Sequence, residues 1–427
     1  MKIAIAGYGL EGESNYRYWT VNPDNIITIA DQRQPDRTLP DGVSKIIGED
    51  AFEKLTDFDL VIRTAGLAPS KIKTNGKIWS ATNEFFAKCL VPIIGVTGSK
   101  GKGTTASLIA SILRESCKKV WLVGNIGEPS LDILNQIEKD DIVVYELSSF
   151  QLWDLEKSPH IAVILFIEQE HLDIHSDFNE YVRAKANITR YQTTADTLVY
   201  SLFNDYAKEI ASGSKAKLIG YTDEKTAHVK EGNFYYGEQI ICSVDALQII
   251  GKFNQDNACA AIDAIWALTQ DVEAIEKGIR SFKGLPHRLQ FVRDFNGVKY
   301  YDDSIATTPT AAIAAVRSFD QPVVIILGGS SKGSDFTELG KELQRHDIKK
   351  AILIGDEADA IAKACQSANF FNFEIIENPT MKNIVSRAHS LATDGSVVLL
   401  SPACASFGLF KNYLDRAEQF DAAVMAL

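Results

Sequence analysis

The run Thr97-Gly-Ser-Lys-Gly101-Lys102-Gly103-Thr104-Thr105 constrains this chain more than any other stretch. It follows the apolar segment Val91-Pro-Ile-Ile-Gly-Val96 and leads into apolar periodicity at 102–116. A buried strand, a glycine turn and a helix in that order open a parallel α/β sheet. Backbone N–H groups of such a loop converge on phosphate oxygens, Lys102 adds positive charge, and a hydroxyl at the helix start suits Mg²⁺. The loop is shorter than the GxxxxGK[ST] pattern, and Gly103 stands where Ser or Thr is usual, so Thr104 is the expected hydroxyl.

Further continuous apolar runs at 120–123, 142–147 and 161–167 supply the other buried strands of that segment. An earlier segment repeats the pattern at 2–7, 25–31 and 59–65, and a later one at 323–329, 350–355 and 396–402. Between 196 and 243 the chain turns polar, aromatic and turn-rich, which predicts an inserted antiparallel patch. Gly284-Leu-Pro-His-Arg288 reads as a linker, followed by a hairpin of 289–295 and 298–303 around Asn296-Gly297.

At 427 residues, more than one hydrophobic core is expected, and the three segments predict an α/β protein of three domains, 1–91, 92–284 and 285–427. The net charge of −12 argues against a nucleic-acid partner or an anionic membrane surface. Apolar runs are too short to span a bilayer, and 2–7 is a strand-like start rather than a secretory signal. Six scattered cysteines without a CxxC pair read as reduced thiols, so a cytoplasmic protein, taken as a monomer, is expected.

Several other motifs carry chemistry. Gly7-Tyr-Gly9-Leu-Glu-Gly12 follows a strand and Asp31 ends the next, the spacing of a dinucleotide fingerprint. A nicotinamide-dependent oxidoreductase therefore stays open on that motif, as does a tight turn with no ligand. Glu146 ends the 142–147 run, where strand ends face the ligand crevice of an open sheet, and so suits a Mg²⁺ ligand. Glu170-His171-Leu-Asp-Ile-His175 gathers two imidazoles and two acids, whereas Lys185 reads by itself as an ordinary helix-surface lysine. His287-Arg288, Asp302-Asp303, Lys332 in Gly328-Gly-Ser-Ser-Lys332 and Ser401-Pro-Ala-Cys-Ala-Ser406-Phe407 lie at strand ends or in the linker. Each has a bland alternative as turn, exposed charge or core thiol. Cys404 has no general base nearby in sequence to make it a nucleophile.

In this order the motifs resemble the Mur ligase family across essentially the whole chain: 98–105, 146–152, His171-Leu-Asp, Asn254 with Asn257, His287-Arg288, Asp303-Ser304 and Lys332-Gly333. Leu400-Ser-Pro-Ala-Cys-Ala-Ser-Phe407 with Phe410-Lys-Asn-Tyr413 most resembles the members that add D-glutamate. The resemblance implies a Rossmann-like UDP-binding domain, a central P-loop ATPase domain with a parallel sheet, and a Rossmann-like amino-acid domain. It implies addition of D-glutamate to UDP-N-acetylmuramoyl-L-alanine, with ATP and Mg²⁺, through an acyl phosphate.

Carried over motif by motif, Gly98, Ser99, Lys100, Gly101, Lys102, Gly103 and Thr104 would hold the ATP phosphates, with Asn257, Arg288 and Asp303 on the nucleotide. Thr104, Glu146, His171 and Lys185 (as a carbamate) would ligate magnesium, and Lys102, His171 and Lys185 would be catalytic. Gly9, Leu10, Asp31, Gln32, Gly66, Asn125 and His171 would meet the UDP substrate; Thr307, Lys332, Ser406, Phe407 and Tyr413 the amino acid. Departures from the pattern are Gly103, Gln32 for a frequent Thr, Gly408 for a common Asp, and Ile305 where the D-glutamate-adding members carry Lys. The alternative within the same chemistry is therefore L-glutamate or another acidic amino acid.

Overall fold

The computed structural model describes residues 1–125, 127–171, 174–331, 333–377 and 379–427. The chain forms two compact units, one of Met1–Ala246 with Gln255–Phe282 and one of Leu247–Asn254 with Lys283–Leu427. The described residues make three α/β sheets and one small antiparallel sheet.

In the first unit, β1 (Lys2–Ala6), β2 (Ile26–Asp31), β3 (Ser44–Ile47), β4 (Leu60–Arg63) and β5 (Lys77–Ser80) align in parallel in the order β3-β2-β1-β4-β5. The order reverses beside β1, so the crevice of this doubly wound sheet opens where the glycine turn 7–12 leaves β1. Ile3, Ile5 and Ile62 pack on one face, and Ala4, Ala6, Ala30 and Val61 on the other. Burial on both faces explains why these strands are continuously apolar.

A second parallel sheet of the same unit contains β6 (Ile93–Thr97), β7 (Val120–Gly124), β8 (Ile142–Glu146), β9 (Ile161–Ile164), β10 (Thr197–Ser201) and β11 (Lys217–Tyr221), in the order β11-β10-β9-β6-β8-β7. Central β6 delivers the loop 98–101 to the sheet's C-terminal edge. The helix Lys102–Glu115 continues from it, burying Leu108, Ile109, Ile112 and Leu113.

The expected antiparallel patch at 196–243 is corrected. β10 and β11 belong to the parallel sheet, and only β12 (Ala227–Lys230), β13 (Asn233–Tyr236) and β14 (Gln239–Ser243) form the antiparallel meander. Strand β11 is a sheet edge that exposes Lys217 and Leu218, so its composition imitates a half-solvated strand. Edge strands β3 and β5, short and partly polar, escaped the apolar-run criterion for the same reason.

The second unit holds β15 (Gln290–Phe295), β16 (Val298–Asp302), β17 (Val323–Gly328), β18 (Ile348–Ile354), β19 (Phe373–Ile375) and β20 (Val397–Leu400), in the order β15-β16-β20-β17-β18-β19. Only β15 runs antiparallel, as the predicted hairpin partner of β16. Asn296 and Gly297 take φ +53° and +76°, the paired left-handed values of a tight hairpin turn. Strands β16, β17 and β20 end beside one another, carrying the 302–307, 328–331 and 401–407 segments to one sheet edge.

Candidate functional site

The loop 98–101, expected to hold phosphates, joins β6 to the helix Lys102–Glu115. Gly101 is the left-handed N-cap of the helix Lys102–Glu115, at φ +83°. A Cβ there would lie 2.4 Å from Asn257 Oδ1, so the positive φ favours glycine and any side chain would have to displace Asn257. The same closeness brings Asn257 against the loop. Lys102 Nζ donates to Ser99 O at 2.8 Å, and Lys100 Nζ pairs with Glu170 Oε1 at 2.7 Å. Ser99 Oγ donates to Glu168 O at 2.8 Å and lies 2.7 Å from Tyr181 Oη, fastening the loop to the segment after β9.

Strand register carries Glu146 to the same level. Val96 of β6 pairs with Glu146 of β8, and Glu146 is buried. Asn125, just past β7, reaches Glu146 Oε1 with Nδ2 at 3.4 Å, so two expected ligand contacts meet. Thr104 is buried at the helix start.

Lys185 corrects its surface reading. It is 1% exposed, with Nζ donating to Gly98 O at 2.7 Å and lying 4.5 Å from the centre of the Tyr181 ring. The helix Phe178–Ala186 turns Tyr181, Ala184 and Lys185 inward. Burial and then the Lys102 charge drive the Lys185 ammonium well below the usual lysine range, with Glu170 and Glu146 opposing. Burial alone would raise the Glu170 carboxyl, yet Lys100 and Lys102 hold it below its ordinary value. His171 is half exposed, with a left-handed φ of +58° and its ring 4.9 Å from Phe150. Its neighbours Leu172 and Asp173 fall outside the described residues.

Around β1, Asp31 Oδ2 accepts from Tyr8 N at 2.9 Å, which shapes the glycine turn. Gly9, Leu10 and Gly66 are exposed, and Gln32 Nε2 donates to Glu49 O at 3.2 Å. Ala65 N donates to Glu11 Oε2 at 2.8 Å, tying the loop before Gly66 to the helix Leu10–Thr20.

In the second unit, Asp303 accepts from Ser401 Oγ at 2.7 Å and from Leu289 N at 3.2 Å. Burial pushes its carboxyl up to about 7, against the pull of these bonds and the Arg288 charge. His287 Nδ1 lies 2.7 Å from Asp302 Oδ2. His287, Asp302 and Asp421 bring ligand-type atoms within 4.8 Å of one another, but Asp302 already spends its other oxygen on Ser304 N at 2.8 Å. The cluster thus anchors the linker beside Arg288. Thr307 and the buried Ser406 occupy adjoining loops, since Ala403 N donates to Ala306 O at 2.9 Å. Phe407 and Tyr413 are exposed, and Lys332 falls outside the described residues.

Sequence reasoning missed the buried Arg63, Tyr181 and Arg416 beneath these loops. A charge ending the apolar run Leu60-Val-Ile-Arg63 was the one legible signal.

Residues 96–265 match the family model described as the Mur ligase middle domain, and 287–404 that of the Mur ligase glutamate ligase domain. The UDP-N-acetylmuramoylalanine–D-glutamate ligase of Clostridium tetani is 36% identical over 90% of this chain and 87% of its own length. The enzyme of that name from Acetivibrio thermocellus is 35% identical over 100% of this chain and 96% of its own. Among solved structures, MurF from Acinetobacter baumannii superposes with a TM-score of 0.65 at 18% identity, covering 100% of this chain and 90% of that one. MurF ligase from Thermotoga maritima in complex with ADP gives 0.61 at 18%, covering 99% and 95%. At such identities the two structures bear on the fold. No helix among the described residues is long and apolar enough to cross a membrane.

Proposed function

We propose, from the premise that this chain belongs to the Mur ligase family, that it is an ATP-dependent, ADP-forming ligase joining D-glutamate to UDP-N-acetylmuramoyl-L-alanine in peptidoglycan precursor synthesis. Residues 1–91 are assigned to the UDP substrate, 92–284 to ATP and 285–427 to the amino acid.

The observation that carries this reading is the buried Lys185 amine hydrogen-bonded to Gly98, the first glycine of the phosphate loop. Burial disfavours the charged form of this amine, and an uncharged amine can be carbamylated, which replaces a cation that would repel a metal by an anionic oxygen ligand. Thr104, Glu146 and such a carbamate are the hard oxygen donors that magnesium takes, so the residues present fit that ion, with His171 at a second position. Bound magnesium would neutralise charge on the phosphate oxygens.

A carboxylate is a poor electrophile, so amide formation needs a leaving group. Phosphorylation of the alanyl carboxylate supplies one, and the amine of D-glutamate then displaces phosphate through a tetrahedral intermediate. The chain's own part is positioning and charge. Loop 98–104 and Lys102 hold the phosphates, with Asn257, Arg288 and Asp303 on the nucleotide. Gly9, Leu10, Asp31, Gln32, Gly66, Asn125 and His171 hold the UDP substrate. Thr307, Lys332, Ser406, Phe407 and Tyr413 receive the amino acid.

The test is phosphate release and a mass-shifted nucleotide product with ATP, Mg²⁺, UDP-N-acetylmuramoyl-L-alanine and a panel of D- and L-amino acids. Turnover with D-glutamate alone supports the proposal. Turnover with L-glutamate or another acid instead would establish the alternative that Ile305 leaves open. No turnover together with NAD(H) binding would return the glycine turn 7–12 to the oxidoreductase reading.

A further inference from the structure

Arg416 lies on the helix Tyr413–Met425, is fully buried, and directs all its hydrogen bonds at neutral oxygens. Nε donates to Ser304 Oγ at 3.0 Å, Nη2 to Ser304 O at 2.8 Å, and Nη1 to Cys404 O at 3.1 Å. Ser304 Oγ in turn donates to Tyr413 O at 2.8 Å, closing the contact back onto the helix. Burial lowers the Arg416 guanidinium to about 10, with the Asp302 carboxylate opposing. A guanidinium held this deep on neutral partners is expensive, and simple cohesion of the core would be better served by an apolar side chain.

Its partners explain the retention. Ser304 belongs to the loop ending β16, which carries Thr307, and Cys404 to the loop ending β20, which carries Ser406 and Phe407. Ala403, immediately before Cys404, sits at φ +60°, a left-handed conformation unfavourable for a residue with a Cβ. The planar fork of an arginine reaches both loops at once, which a lysine cannot. Asp303 is held separately, by Ser401 and Leu289.

We propose that Arg416 is a positioning residue for the incoming amino acid, clamping the 302–307 and 401–407 loops so that Thr307, Ser406 and Phe407 keep a fixed spacing. The proposal rests on the amino-acid reading of those loops given above. It separates the amino acid from the nucleotide: loss of the clamp should disturb the first and spare the second.

The test uses the full-length chain with Arg416→Lys, which keeps the charge and loses the fork, and Ser304→Ala, which removes one hydroxyl. Arg416→Lys is expected to raise KM for D-glutamate at least tenfold and KM for ATP by less than threefold. Amide exchange should rise together in 302–307 and 401–407 and stay unchanged in 290–295. Ser304→Ala should move the same quantities in the same direction, by about threefold in KM, and decides the matter if Arg416→Lys does not fold. An unchanged KM for the amino acid, with activity falling only as the folded fraction falls, would overturn the clamp. Wild-type protein without amino-acid-dependent turnover would instead sink the ligase reading, and loop exchange would still decide the clamp.

Discussion

Arg63 grips Asp154 through two nitrogens, Nε to Oδ2 at 2.8 Å and Nη2 to Oδ1 at 2.5 Å, across 91 residues of sequence. Arg63 ends β4 and is fully buried, while Asp154 follows the helix Ser149–Leu152 beyond β8. The remaining donors reach Phe150 O, Ala65 O and Leu67 O, so one guanidinium ties the loop beside Gly66 to the chain just beyond Glu146. Ser14 and Arg17 add a second tie, on Asp132. These charge-assisted bonds join the first two sheets alongside an apolar contact, in which Tyr18, Phe85 and Phe86 pack with Tyr145 of β8 in one cluster.

Removing one member of that pair leaves the other without its counter-charge. Arg63→Met should destabilise the protein by about 3 kcal/mol, the lower end for a broken buried pair because Asp154 keeps some solvent contact. Asp154→Asn should cost less, since its oxygen still accepts from Arg63, and the double variant should lose less than the sum of the two. Denaturant unfolding of the three variants measures this, and an Arg63→Met curve that overlays wild type would show the pair contributes nothing.

Gly101→Ala is expected to weaken ATP binding at least tenfold. The new Cβ would need to displace Asn257 while the backbone holds φ +83°, so either the loop or its asparagine neighbour must shift. Titration with ATP, with binding of the UDP substrate as control, separates a local effect from misfolding. Equal ATP affinity would mean that the loop accommodates the methyl group.

Much of this architecture was legible because buried parallel strands write themselves as apolar runs: β1, β2, β4, β6, β8, β9, β17 and β20 all fall within the predicted segments. The glycine turn 98–101 between β6 and the helix Lys102–Glu115, and the Asn296-Gly297 turn, were legible because each needs particular residues at fixed spacing. Edge strands such as β3, β5 and β11 were not, since one exposed side dilutes the pattern. Contacts set by tertiary structure were invisible. Nothing near Lys185 in sequence announces its burial, and Arg63 and Arg416 bond to residues about a hundred positions away.

Lys185→Ala should lose activity by at least a hundredfold, with partial recovery on adding short carboxylates that replace the carbamate oxygens. The amine is buried against Gly98, so removal opens a small cavity beside the phosphate loop that such an anion can enter. A carbamate resonance in wild type under ¹³C-labelled CO₂, absent from the variant, provides a readout independent of turnover. Full activity in Lys185→Ala would end the carbamate proposal.

Stability should also depend on pH through Asp263, on the helix that precedes the one at Val272–Ser281. Asp263, on the helix Lys252–Ile265, is 1% exposed and accepts from Ala227 N at 2.8 Å, anchoring the start of β12. Burial pushes its carboxyl from 3.8 to about 8, although the bonds from Ala227 and Thr226 oppose the shift. In the unfolded chain an aspartate titrates near ~3.9. Between those two values the folded state holds a proton that the unfolded state has lost. Stability from this group therefore falls as pH rises from about 4 to about 8, then levels off. Asparagine keeps the acceptor for Ala227 and has no proton to lose. Asp263→Asn should match wild type near pH 4 and exceed it by several degrees in Tm at pH 8.5, a gap set by proton linkage rather than by any new contact. Melting curves of both proteins at pH 4.5, 6.5 and 8.5 decide it: a gap that stays constant would mean that Asp263 is not protonated in the folded protein.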